Sequence, residues 1–200
     1  MIAVSLYDRT MKATVVCISH TDGAQGLDVG EAVADRLGFR LADDAIILDA
    51  ARTEHLLPES VSRAESPGAG RTLEVDFGRF EKTESIRDLI RVAVIRTADE
   101  GSVVIVSHAA SYALAKRDGV LRVMVTASDE TRTGRIAETV GIDEKKAAKR
   151  LDESDKARAD YLHRFYGVKH ELPTDYDLVI STDKLSTDEA AAVVAGAAAA

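Results

Sequence analysis

The sequence predicts a single α/β domain built on a parallel β-sheet, with helices on both faces. Three short apolar runs rich in β-branched residues, at Ala13–Ser19, Ser102–Ser107 and Val120–Thr126, have the composition of strands buried on both faces. The segments between them carry apolar residues at every third or fourth position, as amphipathic helices do. Strands that alternate with helices are typical of parallel sheets, and 200 residues suit one domain.

The first half of the chain supplies two predicted helices and a loop after the first strand. Apolar positions four residues apart predict a helix over Leu27–Leu37, which Gly38 ends. Asp43 or Asp44 is a candidate cap for a second helix, which must end before Pro58. Residues 58–72 are rich in Ser, Pro and Gly and are predicted to form a mobile loop, while residues 1–12 read as an N-terminal extension.

The second half alternates more regularly. One apolar stripe predicts a helix that ends before Gly101, and a second helix follows the 102–107 strand at 109–116. After the 120–126 strand, the predicted elements are a helix capped by Ser128 and running to Val140, a long charged helix, a last strand and a final helix. The long helix spans Asp143–Tyr166, the last strand Asp177–Ser181, and Ser186 with Glu189 forms a capping box for the final helix. The alanine-rich tail at 190–200 reads as a fraying helix end.

Charge and cysteine content restrict the class of protein. Lys and Arg number 26 against 34 Asp and Glu, a net charge of −8, which disfavours binding to nucleic acid or to an anionic membrane. The single cysteine, Cys17, lies in an apolar run and is predicted to be buried, and no internal disulfide can form. The absence of a signal peptide pattern and of a run of about 20 apolar residues predicts a cytoplasmic protein.

The turn after the first strand is the strongest candidate site. Ser19-His20-Thr21-Asp22-Gly23-Ala24-Gln25-Gly26 leads directly into a helix, and backbone N–H groups at such a place bind anions. The usual nucleotide-binding pattern continues with a lysine that neutralises phosphate and a hydroxyl residue that helps to hold Mg²⁺. Here Leu27 and Asp28 occupy those positions, so the turn is either a nucleotide site without its lysine or an ordinary strand-to-helix turn.

A second strand end repeats part of this pattern. Ser107-His108 follows the 102–107 strand as Ser19-His20 ends the first, so the two histidines are candidates for one cleft. Neutral imidazoles could replace cations at a phosphate or transfer protons near neutral pH. The alternative is that each histidine only caps its strand by bonding nearby backbone. A hydrolase that uses these histidines is a weaker reading, since no GxSxG surrounds either serine.

The long helix places charges in line with its apolar stripe. Asp155 and Arg158 fall between Leu151 and Leu162 on one face, and Arg132 and Arg135 add cations from the preceding helix. An inward-facing arginine with an acidic partner is either a structural ion pair or a phosphate clamp, and the sequence leaves both open. The other histidines and Cys17 show no ligand spacing, so no metal site is assigned.

Taken together, these residues resemble the cytidylate kinase-like family, a branch of the P-loop nucleoside monophosphate kinases. The similarity runs in order through Cys17–Val29, Val104–Leu114, Asp155–Tyr161 and Tyr176–Thr182. It implies a three-layer parallel sheet with a helical lid, ATP and Mg²⁺ as cofactors, and phosphoryl transfer to a nucleoside monophosphate. By this resemblance the phosphate loop is Gly23–Gly26, Asp43 lies in the monophosphate-binding region, and Arg158 belongs to the lid.

Two departures from the family pattern concern cations. Leu27 stands where a basic residue is usual, and Ser107-His108-Ala109 replaces Gly-Arg-Gly. One hypothesis is an active kinase whose phosphates are held by the turn and by Arg132, Arg135 and Arg158, with Asp155 as their acidic neighbour and with Arg71 or Arg79 as replacement cations. The other is a pseudokinase-type module that binds a nucleotide or anion, or a protein partner, without turnover. A homo-oligomer is compatible with either hypothesis.

Overall fold

The computed structural model describes residues 13–43, 83–107 and 109–200, with the side chains of 83–90 left aside. Within these residues, five strands form one sheet: β1 (Val15–His20), β2 (Arg40–Asp43), β3 (Val103–Val106), β4 (Val120–Thr126) and β5 (Leu178–Ser181). Their order in the sheet is β2-β3-β1-β4-β5, and every neighbouring pair is parallel. The predicted parallel α/β fold is therefore confirmed.

Six described helices connect or flank these strands: α1 (Gly26–Leu37), α2 (Thr83–Asp99), α3 (Ala110–Ala113), α4 (Asp129–Val140), α5 (Glu144–Tyr166) and α6 (Thr187–Ala199). Ser128 and Asp143 cap α4 and α5 by accepting bonds from backbone N–H groups. Both bonds of the capping box predicted at Ser186 and Glu189 are present at the start of α6. Among the described helices, none is long and apolar enough to cross a membrane.

The hydrophobic core has two layers, one on each face of the sheet. Val16, Ile18 and Val104 point to the face covered by α1 and α6, whereas Cys17 and Ile105 point to the face covered by α2 and α3. The predicted burial of Cys17 is confirmed. A third, smaller cluster joins α4 to α5 through Ile136, Ala147 and Leu151, so these two helices pack together as a hairpin.

The structure adds one strand to the predicted elements and changes two expectations. The segment that ends at Asp43 is strand β2, a strand too short and too polar to stand out in the sequence. The alanine-rich tail is not a fraying end, because Ala190, Ala191, Val194 and Ala198 on α6 are buried in the core that α6 shares with α1. The helix predicted at 109–116 is a single turn, α3. The extension predicted at 1–12, the helix predicted to follow Asp43 or Asp44 and the mobile loop predicted at 58–72 lie outside the described residues.

Candidate functional site

The turn between β1 and α1, residues 20–26, lies at the carboxyl edge of the sheet. This edge is where parallel α/β sheets bind ligands, because the helix N-termini that follow the strands point there. Gly23 has φ 76° and Gln25, which precedes the first turn of α1, has φ 61° and ψ 32°. A left-handed non-glycine residue is uncommon, so the surrounding contacts must hold Gln25 in this conformation.

Gly26 allows His20 to pack directly against the start of α1. A Cβ atom at Gly26 would lie 2.2 Å from the Cβ of His20, which is far inside van der Waals contact. The His20 imidazole lies along this backbone, and its Nδ1 is 3.3 Å from the carbonyl oxygen of Thr21. His20 thus contacts nearby backbone, as one of the two readings of the sequence expected, and it is half-buried beside the turn.

Four carbonyl groups of the turn are held by side chains from outside it. Arg132 Nε donates to the Asp22 carbonyl at 2.7 Å and Arg135 Nη1 to the Gly23 carbonyl at 3.2 Å. Thr182, after β5, donates its hydroxyl to the Ala24 carbonyl at 3.0 Å. From α5, Arg158 Nη1 donates to the His20 carbonyl at 3.3 Å. We call these four side chains, Arg132, Arg135, Arg158 and Thr182, the carbonyl clamp.

Two of the clamp arginines are also paired with carboxylates. Arg132 makes a two-nitrogen pair with Asp155 at 3.1 and 2.5 Å, and only 5% of its side chain is exposed. Arg158 makes the same kind of pair with Glu171, at 2.9 and 2.5 Å, with 8% exposed. The structure therefore shows ion pairs at both arginines. It also shows that Asp155 and Arg158, neighbours on one stripe, have different partners.

The Arg158–Glu171 pair is strong enough to overcome its burial. Burial disfavours the charged form of Arg158, but the hydrogen bonds and the charge of Glu171 outweigh it and leave the pKa of Arg158 raised. Burial likewise opposes the ionisation of Glu171, yet Arg158 holds the pKa of this carboxyl below its ordinary value. The Tyr176 hydroxyl donates a short hydrogen bond to Glu171, and burial together with this bond raises the pKa of Tyr176.

The clamp decides where the N–H groups of the turn point. In a trans peptide the C=O of one residue and the N–H of the next point in opposite directions. Since the carbonyls of Asp22 and Ala24 point to the clamp, the N–H groups of Gly23 and Gln25 point away from it. The first helical N–H groups, at Gly26, Leu27 and Asp28, have no acceptor inside a helix. Within the described residues, none of these five N–H groups bonds a backbone carbonyl.

Leu27 and Asp28, which stand where a lysine and a hydroxyl residue are usual, lie in different surroundings. Leu27 is half-buried and packs against the core cluster between the sheet and α1, so it adds no charge to the turn. Asp28 is exposed on the first turn of α1. Asp43 ends β2, where it pairs in register with Val106, and therefore lies at the same sheet edge as the turn. His108, Arg71 and Arg79 lie outside the described residues.

Sequence reasoning missed three side chains of this site. Thr182 is 1% exposed and accepts from Arg135 at 2.9 Å while it donates to Ala24, so it links the clamp to β5. Glu171 and Tyr176 lie next to a short 3₁₀ turn, where no periodicity marks them. Tyr176 also belongs to a group of aromatic rings with Tyr112 and Tyr166. Tyr176 and Thr182 bound the last segment of the family similarity, and Thr182 also directly follows a predicted strand, so these two positions carried a signal whereas Glu171 did not.

A model of the cytidylate kinase-like family matches residues 15–184 of the chain, which includes the turn, the clamp and both carboxylates. The chain belongs to the cytidylate kinase-like family. The cytidylate kinase of Methanopyrus kandleri is 32% identical over 138 residues, which cover 62% of this chain and 70% of that protein. The similarity predicted from the residues is thus confirmed.

Solved structures show the same fold at low sequence identity. An uncharacterized protein from Eubacterium ventriosum has a TM-score of 0.72 and 20% identity, covering 94% of this chain and 98% of its own. A shikimate kinase from Bacteroides thetaiotaomicron has a TM-score of 0.56 and 12% identity, covering 92% and 97%. At such identities the likeness concerns the fold, which is that of the P-loop kinases.

Proposed function

We propose that this member of the family binds the phosphate groups of a nucleotide at the β1–α1 turn and transfers the γ-phosphoryl group slowly or not at all. The observation that carries the proposal is the arrangement of the turn: its carbonyls point to the clamp, and the N–H groups of Gly23, Gln25 and the first turn of α1 point away. Such a set of N–H groups at a helix N-terminus is a site for phosphate oxygens.

The slow transfer follows from how the cations are used. Phosphoryl transfer needs positive charge where negative charge develops, and an arginine that supplies it accelerates the step about 10³- to 10⁵-fold. Leu27 supplies none, and the charges of Arg132 and Arg158 are already balanced by Asp155 and Glu171. These features support binding through backbone dipoles, which holds the ground state as firmly as the transition state and gives little acceleration.

The residues around the turn fit a Mg²⁺ ion that arrives bound to the nucleotide phosphates. Mg²⁺ is commonly bound by one or two carboxylates together with substrate phosphates, and the exposed Asp28 supplies one carboxylate at the helix start. Within the described residues, no group of three or more His, Cys, Asp or Glu side chains could hold a metal. The proposed ligand is therefore the Mg²⁺ complex of ATP, in which the cation also offsets the charge of Asp28.

A second candidate is an active nucleoside monophosphate kinase. The 32% identity with the cytidylate kinase of Methanopyrus kandleri favours it, with CMP as the acceptor and ATP as the donor. An active kinase needs positive charge at the phosphate that is transferred. Because Arg132 and Arg158 are already paired with Asp155 and Glu171, that charge would have to come from other groups. A cytoplasmic location, predicted from the sequence, suits both candidates.

Thermal shift and calorimetric titration with Mg²⁺·ATP, alone and with CMP, test the proposal, together with a coupled assay for ADP release. We expect Mg²⁺·ATP to raise Tm, as any ligand of the native state does, with ADP release near background. Leu27→Lys should tighten ATP binding, because its stem can follow the Leu27 side chain while its ammonium reaches the phosphates. Val193→Lys, an exposed position on α6, is the matched control.

The outcomes separate the candidates. ADP release that CMP stimulates well above background would replace the proposal with the active kinase. A Tm and a titration that no nucleotide changes would overturn nucleotide binding altogether and leave only the kinase fold.

A further inference from the structure

Each clamp arginine acts in two directions at once. Arg132 donates to the Asp22 carbonyl and to both oxygens of Asp155, and Arg158 donates to the His20 carbonyl and to both oxygens of Glu171. Arg135 donates to the Gly23 carbonyl and to both oxygens of Thr182. The three arginines come from α4 and α5, so the hairpin of these two helices is tied to the turn at three carbonyl groups, those of His20, Asp22 and Gly23.

We propose that Arg132, Arg135 and Arg158 are positioning residues that act on the ligand through the turn and do not contact its phosphates. They hold the carbonyls of the turn on one side, which keeps the N–H groups of Gly23 and Gln25 on the other. Asp155 and Glu171 orient the arginines for this work. The inference rests on the proposed phosphate site and assigns the roles of the charged residues around it.

Geometry and burial both support this role. A guanidinium has five N–H donors in a fixed planar fork, so its orientation is set once two or three of them are engaged. Arg132 uses donors on all three of its nitrogens within the protein, and its side chain is almost fully buried. To contact a phosphate, Arg132 would have to leave Asp155, and breaking an ion pair whose arginine side chain is only 5% exposed is costly even though Asp155 itself is 41% exposed.

The role also explains the backbone conformation of the turn. Gln25 is left-handed although it is not glycine, and the carbonyl just before it, that of Ala24, is fixed by Thr182, which Arg135 holds in turn. Gly23 is held against α4 so closely that a Cβ there would lie 2.8 Å from the Arg132 carbonyl oxygen. The turn is thus preorganised by contacts with α4, and preorganised donors bind an anion without a further ordering cost.

Direct phosphate clamping makes the opposite prediction for the carboxylates. If Arg132 and Arg158 bind phosphate, then Asp155 and Glu171 compete with the ligand, and their removal should tighten binding. If the arginines position the turn, removal of either carboxylate lets the fork rotate, and binding should weaken. The sign of the change in Kd therefore distinguishes the two roles.

The experiment measures Kd for Mg²⁺·ATP by calorimetry in Asp155→Asn and Glu171→Gln, at a temperature well below the Tm of each variant. We expect each to weaken binding by about tenfold, the order of effect of one charge-assisted hydrogen bond. Arg132→Lys should weaken it as much as Arg132→Ala does, because a lysine keeps the charge but cannot bridge Asp22 and Asp155. Asp177→Asn is the control, since its two-nitrogen pair with Arg122 includes no atom of the turn.

Three results would overturn the inference. Tighter binding in the carboxylate variants would show that the arginines reach the phosphates. A Kd unchanged in both carboxylate variants, with only Tm lowered, would show that the ion pairs contribute to stability alone. A wild-type Kd in Arg132→Lys would show that Arg132 acts only through its positive charge. A wild-type protein that binds no Mg²⁺·ATP would instead refute the proposed function itself, and this inference with it.

Discussion

At the scale of single residues, the conformation of the turn depends on Gly26, where any side chain would clash with a neighbour. Gly26 faces the His20 Cβ, which is attached to the backbone and cannot move aside. Gly134, in the middle of α4, faces open space. The two glycines therefore differ in their surroundings although both are in helices, and a methyl group tests that difference directly.

Gly26→Ala should destabilise the protein by about 1–3 kcal/mol, the usual cost of overpacking a fixed site, and should weaken any phosphate binding by displacing the turn. Gly134→Ala should stabilise it by about 0.5–1 kcal/mol, because alanine has the higher helix propensity and nothing obstructs it. Urea unfolding of both variants measures the difference. Equal effects would mean that His20 does not pack on Gly26 as described.

At the scale of elements, α6 shows how a sequence of weak character becomes part of the core. Its residues are mostly alanine, yet one face packs in the cluster shared with α1, and the Ala198 carbonyl accepts a bond from the Ala13 N–H at 3.0 Å. Small side chains let the helix approach closely, and the Ser186–Glu189 capping box fixes its start. Val193 and Val194 are adjacent but face opposite environments.

Val194→Ala should cost about 2 kcal/mol, since Val194 is fully buried and its methyl groups fill the layer between α6 and the sheet. Val193→Ala should change stability by less than about 0.5 kcal/mol, because Val193 is 48% exposed. Chemical denaturation of the two variants gives both values. A small and equal change in the free energy of unfolding for both variants would support the fraying helix end that the sequence predicts.

At the scale of the whole molecule, ionisation favours the folded state near neutral pH. The carboxyls of Glu171 and Asp177 are partly buried, which opposes their charge, but their arginine partners hold both pKa values below the ordinary range. The Asp183 carboxylate accepts bonds from the Ser128 N–H and hydroxyl at the start of α4, and its pKa falls to about 2. Burial raises the pKa of Tyr112 to about 12.

Stability should therefore be lost at both ends of the pH range. A lowered carboxyl pKa gives stability that is present above the ordinary value, 4.5 for Glu171, and is lost as pH falls through the lowered value. A raised tyrosine pKa gives stability that is lost as pH rises above its ordinary value of 10.0. Urea unfolding from pH 2 to 7 should show a shallower acid loss in Glu171→Gln, whereas Glu153→Gln, at an exposed pair with Lys149, should leave it unchanged.

Much of the fold could be predicted from the sequence because its signals are local. Ser128 and Ser186 indicate where helices begin, because each hydroxyl accepts a hydrogen bond from a backbone N–H group of the first turn. The run Val103–Val106 indicates a strand by its continuous apolar character. Strand β2 was missed because its four residues include Arg40 and Asp43, so it lacks an apolar run. Strand β2 forms because its backbone hydrogen-bonds to the edge of β3, and that contact exists only in the folded protein.

The sequence alone determined the parallel α/β fold, the family and the turn with its missing lysine, because composition, periodicity and order are properties of the chain itself. Tertiary structure decided what the charges do. The sequence placed Asp155 beside Arg158, but the fold pairs Asp155 with Arg132 and Arg158 with Glu171, and it aims all three arginines at the carbonyls of the turn. Partners of a buried charge depend on which elements meet in space, and spacing along the chain does not contain that information.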